Sequence, residues 1–549
     1  MQETPETSQL AAGFSPLDWT VLCAYFLVLI ITGWIFARKE RKDTEDYFLG
    51  GRKIPAWAVA ISIVATSLSA ATFIGVPELS YTGNLTYLAT NIGMILAALV
   101  IAFMFIPRFY QTKSASIYEL LERRMGSGAR RAASVSFLFG RVLASGARVF
   151  AAAIPLSMVI FGIDAGLEPL SLMISISALT VVAIGYTLWG GIASVIWSDV
   201  LQYAVLVGAA CVAIALIAGS INAPLDVVLD SLNNPTSETG EPMGSKLKIF
   251  EWSPEGFDIR KPIDFAAPFA IPACFIGYTL LGIGSYGTDQ DLAQRMLTCK
   301  DAKSGARSVL MGIFLGIPTV LLFLIVGLML WIVYQRPDLT DSPIQRSSSE
   351  GDSLRIFLEY ILTQIPSGVR GLMMAGLFAA GLSSMNSAIN AMGAAFIADL
   401  YRPIFPNRSE QHYLKRGRVS VIIAGIVLGM FACICIYWKD ANGYTLIDFA
   451  LSVMGFAYAG LVGVFLTAIL TKRGSSISAI AALIVGFLWM LASQPFMIGQ
   501  VIDLTDSEST LASYAGIHHT WKLTLGVALS TTVCMLGKRR SQGASLHAP

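Results

Sequence analysis

Residues 56–80 read AWAVAISIVATSLSAATFIGVPELS. The run is long and apolar enough to cross a hydrocarbon core of roughly 30 Å, which takes about twenty residues. A plain anchor would not carry Thr66, Ser67, Ser69 and Thr72 in mid-span, followed by Gly75 and Pro77. A helix interrupted there frees backbone carbonyls that, in lipid, must be satisfied by neighbours, water or an ion. Broken helices near the midplane are how many secondary transporters form ion and solute sites.

Comparable apolar runs recur along all 549 residues. They fall at 19–37, 56–80, 86–107, 133–162, 170–190, 197–219, 264–287, 306–334, 368–400, 418–438, 444–470, 477–498 and 518–537. The sequence thus predicts an all-α integral membrane protein with about thirteen transmembrane helices. Hydrophobic residues make up 55% of the chain and charged residues 13%, far below the charge of a soluble domain. Lys plus Arg (38) nearly balance Asp plus Glu (36), so nothing points to a nucleic-acid partner. Nothing points to an obligate protein partner either. The seven cysteines, all but Cys299 within apolar runs, suggest no disulfide framework and no metal site.

Basic residues near span ends set orientation. The basic loops alternate with polar ones: ARKERKDTEDYFLGGRK after the first span, Arg108 to Arg131 after the third, and Arg295, Lys300, Lys303 and Arg307 after the seventh. Lys415, Arg416 and Arg418, then Lys472 and Arg473, then GKRR at 537–540 continue the series. The alternate loops are longer and polar. This predicts a plasma-membrane protein with its N-terminus outside and its C-terminus cytoplasmic.

The span around 371–396, GLMMAGLFAAGLSSMNSAINAMGAAF, clusters Ser383, Ser384, Asn386 and Ser387. Hydroxyl and carbonyl oxygens suit a small hard cation. A lone serine would serve close helix packing as well, but two polar clusters on separate spans favour an ion site. Asp199, in IWSDVLQ, either caps a helix or binds a cation. Arg141 and Arg148, in FLFGRVLASGARVFAAAIPL, share a helical face. Arg148 sits near mid-span and must meet a carboxylate such as Asp199, backbone carbonyls or a bound anion. The four histidines (412, 518, 519 and 547) lie in loops, at a span end or in the tail, and form no nucleophile pair. Glu78 reads as solvated. Acid/base catalysis finds no candidate, which argues against an enzyme.

Four stretches carry a resemblance to the sodium:solute symporter family: EDYFLGGRKIPAWAVAISIVATSLSAATFIGVP, YTLWGGIASVIWSDVLQ, GTDQDLAQRMLTCKDAKSGAR and FAAGLSSMNSAIN. The resemblance implies a leucine-transporter-type fold, an inverted repeat of five plus five helices. In that layout the segments are an extracellular N-terminus (1–18), an extra first helix (19–37), a first repeat (56–219), an extracellular loop (220–263) and a second repeat (264–470). Two C-terminal helices (471–537) and a cytoplasmic tail (538–549) follow. It implies Na+ as coupling ion, held by the backbone carbonyls of Ala65, Leu68 and Ala380 with the hydroxyls of Ser383 and Ser384. A second sodium site resembles Asp199 with Ser383, Asn386 and Ser387, although Asn386 replaces a serine found in relatives. Positions resembling the solute pocket are Ser67, Ser69, Thr72 and Asn91, with Arg141 or Arg148. The stretch SLSAATFIGVP looks closer to the iodide, monocarboxylate and sialic acid branches than to the glucose branch. The resemblance therefore implies symport of a small carboxylate-bearing solute by alternating access. A sugar or polyol symporter, a channel, or a non-transporting sensor on the same scaffold are the alternatives.

Overall fold

The computed structural model describes residues 14–37, 44–112, 115–163, 165–236, 241–252, 262–341, 356–442, 446–498 and 516–538. Residues 38–43, Lys113, Arg539 and Arg540, which entered the loop-charge reading, lie outside these. So do parts of the polar loops and both termini.

Among the described residues the chain is helical, with two isolated β-bridges, Ile221 with Thr340 and Thr236 with Pro242. Eight helices among the described residues are long and apolar enough to cross a membrane, or nine when the bent pair Ala56–Ser67 and Ala70–Thr82 counts as one span. Their outer faces expose large apolar side chains such as Phe103 (72%) and Val181 (70%), as contact with acyl chains requires.

The bent pair is the interruption expected from residues 56–80. Its halves meet at 64°, with Leu68 and Ser69 extended between them. Local chemistry explains the break. The Ser69 N–H donates to Thr72 Oγ1 (3.2 Å) rather than to a carbonyl of the preceding turn, starting a new helix with a reciprocal serine–threonine cap. The carbonyls at the end of Ala56–Ser67 are thereby released from helical bonding. Beyond the break, Ser80 Oγ donates to Leu324 O (2.8 Å). A Cβ on Gly327 would sit 2.1 Å from Pro77 O, so glycine there is what allows the upper half of the broken helix to lie against Ala302–Gln335.

The fifth and sixth apolar runs form one helical stretch, Pro169–Gly219, turned at Gly191 (φ 53°). That backbone region is open to glycine and costly for other residues. A second interruption was not foreseen. The seventh span is wound with π-helical turns at Ala273–Gly277 and Gly284–Thr288, becomes extended at Asp289, and resumes as Gln290–Met296. Asp289 caps that short helix by accepting from the Asp291 N–H (2.9 Å).

The helix Val369–Ala395 is buried almost throughout and forms the centre of the bundle. It packs against Pro169–Gly219, Ser127–Phe161 and the broken helix. Both polar clusters of the sequence therefore face one interior.

Candidate functional site

Two adjoining polar regions occupy that interior. The first joins the break to the central helix: Ser384 Oγ donates to Thr66 O (3.2 Å), and Thr66 Oγ1 is buried without a hydrogen-bond partner. This contact joins the two elements that carry the expected Ala65, Leu68, Ala380, Ser383 and Ser384 set. All five residues are buried. A hydroxyl keeps its lone pairs while donating, so Ser383 and Ser384 retain the capacity to ligate a cation.

The second region is a buried charge network. Asp199 accepts from Ser383 Oγ (2.6 Å), Ser62 Oγ (2.5 Å) and Arg295 Nη2 (3.2 Å). Arg295 also binds Asp291 through Nη1 (2.6 Å) and Ser62 through Nε (2.8 Å). Asp291 accepts a hydrogen bond from Ser387 and lies 3.3 Å from Arg141 Nη2. Arg141 is paired with Asp289, whose other oxygen accepts from Tyr458 OH (2.8 Å).

This geometry corrects several expectations. Asp199 lies inside a helix and caps none. Its partner is Arg295, not Arg148. Arg295 is no loop charge but is fully buried (0% exposed), because two carboxylates and a serine provide the bonds that make burial tolerable. Glu78 is buried at 8% exposure rather than solvated. Of the second sodium set, Asp199 and Ser383 are in contact, whereas Ser387 turns to Asp291 and Asn386 Oδ1 accepts from Thr187 Oγ1 (3.3 Å).

Beside these regions lies a cavity of about 120 Å³ lined by Ser67, Thr72, Asn91 and Arg148, and also by Tyr87, Thr90, Ser285, Tyr286, Leu451 and Met454. Ser67 Oγ is within 3.0 Å of Tyr286 OH. Ser69, expected in the pocket, and Arg141, the alternative to Arg148 there, are not part of its lining. Ser69 serves the helix cap, and Arg141 is consumed by Asp289 and Asp291.

Arg148 differs from Arg141 and Arg295. Its contacts are a long hydrogen bond to Thr66 O (3.3 Å) and Met454 Sδ (3.8 Å). Among the described residues no carboxylate comes within ion-pair distance of it. A guanidinium with most of its five donors unused at the wall of a cavity has the chemistry to bind an oxyanion. Asp289, Asp291, Arg295, Tyr286 and Tyr458 were missed by sequence reasoning. The spacing of Asp291 and Arg295, one helical turn apart, was the available signal.

A family model described as the sodium:solute symporter family matches residues 47–486. The chain is 27% identical over 488 residues to the sodium/sialic acid symporter SiaT of Proteus mirabilis, covering 88% of this chain and 90% of that protein. It is 28% identical over 498 residues to the human sodium-coupled monocarboxylate transporter 1, covering 88% and 75%. Among solved structures, a substrate-bound, outward-open Na+-coupled sialic acid symporter superposes with a TM-score of 0.74 at 24% identity, over 96% of this chain and 100% of that one.

Proposed function

The chain belongs to the sodium:solute symporter family, and from that premise we propose that it imports a small carboxylate-bearing solute, of the sialic acid or monocarboxylate class, together with sodium. The observation that carries the solute class is Arg148, a cavity-lining arginine with no carboxylate partner among the described residues. The names of the relatives, sialic acid and monocarboxylate transporters, agree with it.

In this reading sodium sits between the carbonyls of Ala65, Leu68 and Ala380 and the hydroxyls of Ser383 and Ser384. The direct Ser384 to Thr66 hydrogen bond supports it, because it already brings those two elements to ligand distance. Asp199 and Ser383 supply a second position, with Ser387 and Asn386 free to join only after leaving Asp291 and Thr187. Ser67, Thr72 and Asn91 orient the solute; Arg148 neutralises its carboxylate.

Charge explains the coupling. Asp199, Asp289 and Asp291 face Arg141 and Arg295, with Arg148 next along the Ser127–Phe161 helix. When an anion occupies Arg148, the remaining network is one positive charge short, and an uncompensated charge in this interior costs several kcal/mol. One sodium restores the balance, so anion and cation favour each other's binding. A second sodium adds net charge, each unit of which gains about 2.3 kcal/mol per 100 mV, equivalent to roughly 50-fold accumulation.

The proposal extends to the architecture. Thirteen crossings require the shorter helices Pro169–Gly185, Ser476–Ala492 and His519–Met535 and the π-wound 273–296 segment to cross besides the eight or nine long spans, and a five-plus-five repeat of 56–219 and 264–470 is supported by the break in the first helix of each unit, at Leu68 and at Asp289. The N-terminus and the 220–263 loop then lie outside the plasma membrane, and the C-terminal tail inside. Alternating access follows as rearrangement of the two broken helices around the central one.

The test is uptake into liposomes under an inward sodium gradient, with potassium as control. Labelled sialic acid, short monocarboxylates, glucose and proline form the panel. Uptake of an acid supports the proposal; uptake of glucose alone moves the protein to a sugar carrier.

A further inference from the structure

A histidine pair and a carboxylate that take no part in the solute or sodium sites meet at one end of the bundle. Asp448 lies on the short helix Leu446–Ser452, one turn before Leu451 of the solute cavity. His518 is the residue preceding the final helix, His519–Met535, and His519 is its first. One ring nitrogen from each histidine and one Asp448 oxygen all lie within 4.8 Å of one another. The His518 Nε2 to Asp448 Oδ1 distance is 3.6 Å.

Each histidine is prepared for a ligand. His519 is buried at 8% exposure, and its Nε2 has no hydrogen-bond partner. An imidazole nitrogen left so deep in the protein is costly unless something binds it. His518 Nδ1 lies 2.9 Å from Thr520 Oγ1, and its Nε2 has no hydrogen-bond partner. A second bond of this kind is how proteins fix the tautomer and aim of a metal-binding imidazole. The backbone also holds the pair in place: the His518 N–H donates to Phe265 O (2.9 Å), and the Phe265 and Trp521 rings stack edge to face at 5.1 Å.

Two imidazoles and one carboxylate form a borderline donor set that suits Zn2+ and similar divalent transition-metal ions. They are poor ligands for sodium, magnesium or calcium, which take oxygen. Three protein ligands leave a fourth position for water. Bond lengths of about 2.0–2.2 Å require the three ligand atoms to draw together by about 1 Å, which side-chain rotation supplies.

We propose that Asp448, His518 and His519 form a zinc-class metal site that staples the Leu446–Ser452 segment to the start of the final helix. Because Leu451 and Met454 border the solute cavity, the bound ion holds one wall of that cavity against a neighbouring span. Transport then slows when the site is filled, a consequence that rests on the transport reading above, whereas binding itself does not.

The experiment is Zn2+ titration of purified, tag-free protein in detergent, in competition with a chromogenic chelator and in excess Mg2+ and Ca2+. One Zn2+ per chain is expected. His519→Gln and Asp448→Asn should each weaken it by more than the roughly 10- to 100-fold that loss of an outer partner costs, and Thr520→Val by about that amount. Gel filtration checks that each variant is folded, and Thr520→Val leaves all three ligands in place should the others fail. No Zn2+ bound by the native protein, or equal binding by native protein and the folded variants, overturns the site. In a separate arm, Zn2+ should slow sodium-driven uptake by the native protein but not by His519→Gln. Equal slowing of both overturns the staple, and absence of any uptake counts against the transport reading while the binding arm still decides the site.

Discussion

Replacing Arg148 with methionine keeps most of the side chain's bulk and removes its charge. The structure indicates what is lost. In the absence of solute, Arg148 makes one hydrogen bond of 3.3 Å and one sulfur contact of 3.8 Å. Folding should therefore suffer by no more than about 1 kcal/mol, the usual worth of such a bond. A carboxylate in the cavity would gain charge-assisted bonds of about 1.5–3 kcal/mol, so its half-saturating concentration should rise about 10- to 150-fold. The assay compares the acid with its neutral amide in reconstituted vesicles at saturating sodium. The native protein should prefer the acid strongly, and the variant should lose that preference while keeping its thermal stability. Acid uptake by the variant with a half-saturation within twofold of the native protein would refute the assignment of Arg148.

Three further outcomes follow from the same geometry. Ser384→Ala removes one proposed sodium oxygen and should raise the sodium half-saturation about tenfold or more, with solute choice unchanged; an unaltered sodium dependence contradicts the assignment. Arg295→Met strands Asp199 and Asp291 and should cost about 3–5 kcal/mol in thermal unfolding, while Arg295→Met with Asp199→Asn recovers part of it; no recovery means the pair is not coupled. Lys246, in the 220–263 loop, donates to Tyr81 O (2.7 Å) and Gly83 O (3.1 Å) at the end of the broken helix, and burial pushes its ammonium down to about 8. Between that value and the roughly 10.4 of a free lysine, the docked amine has released its proton while an undocked one has not, so docking strengthens as pH rises. Hydrogen exchange around Lys246, corrected for intrinsic rate, should slow from pH 7.5 to 9.5, and faster exchange would reverse the sign.

The sequence made the first break legible because its cause is local. Ser69 and Thr72 cap a helix within four residues, and polar atoms in an apolar run are conspicuous. The break at Asp289 stayed hidden because π-helical turns leave the same apolar pattern as an α-helix, and because the charged residues after it looked like a basic loop. Arg295 shows why. A positive residue near a span end reads as cytoplasmic, and only the fold brings Asp199, ninety-six positions earlier, to its side. Arg141 and Arg148 were recognised as sharing a face, but their roles separate through long-range partners: Asp289 and Asp291 take one and leave the other to the cavity. The Asp448, His518 and His519 cluster likewise depends on two spans meeting and has no local signature.

The most direct measurement is simultaneous flux of labelled sodium and a labelled acid into vesicles holding the purified protein. Coupled symport predicts that each flux requires the other, that replacing sodium by potassium abolishes acid uptake, and that Ser384→Ala shifts both fluxes together along the sodium axis. Acid entering at the same rate in potassium, or sodium entering freely without acid, would contradict it.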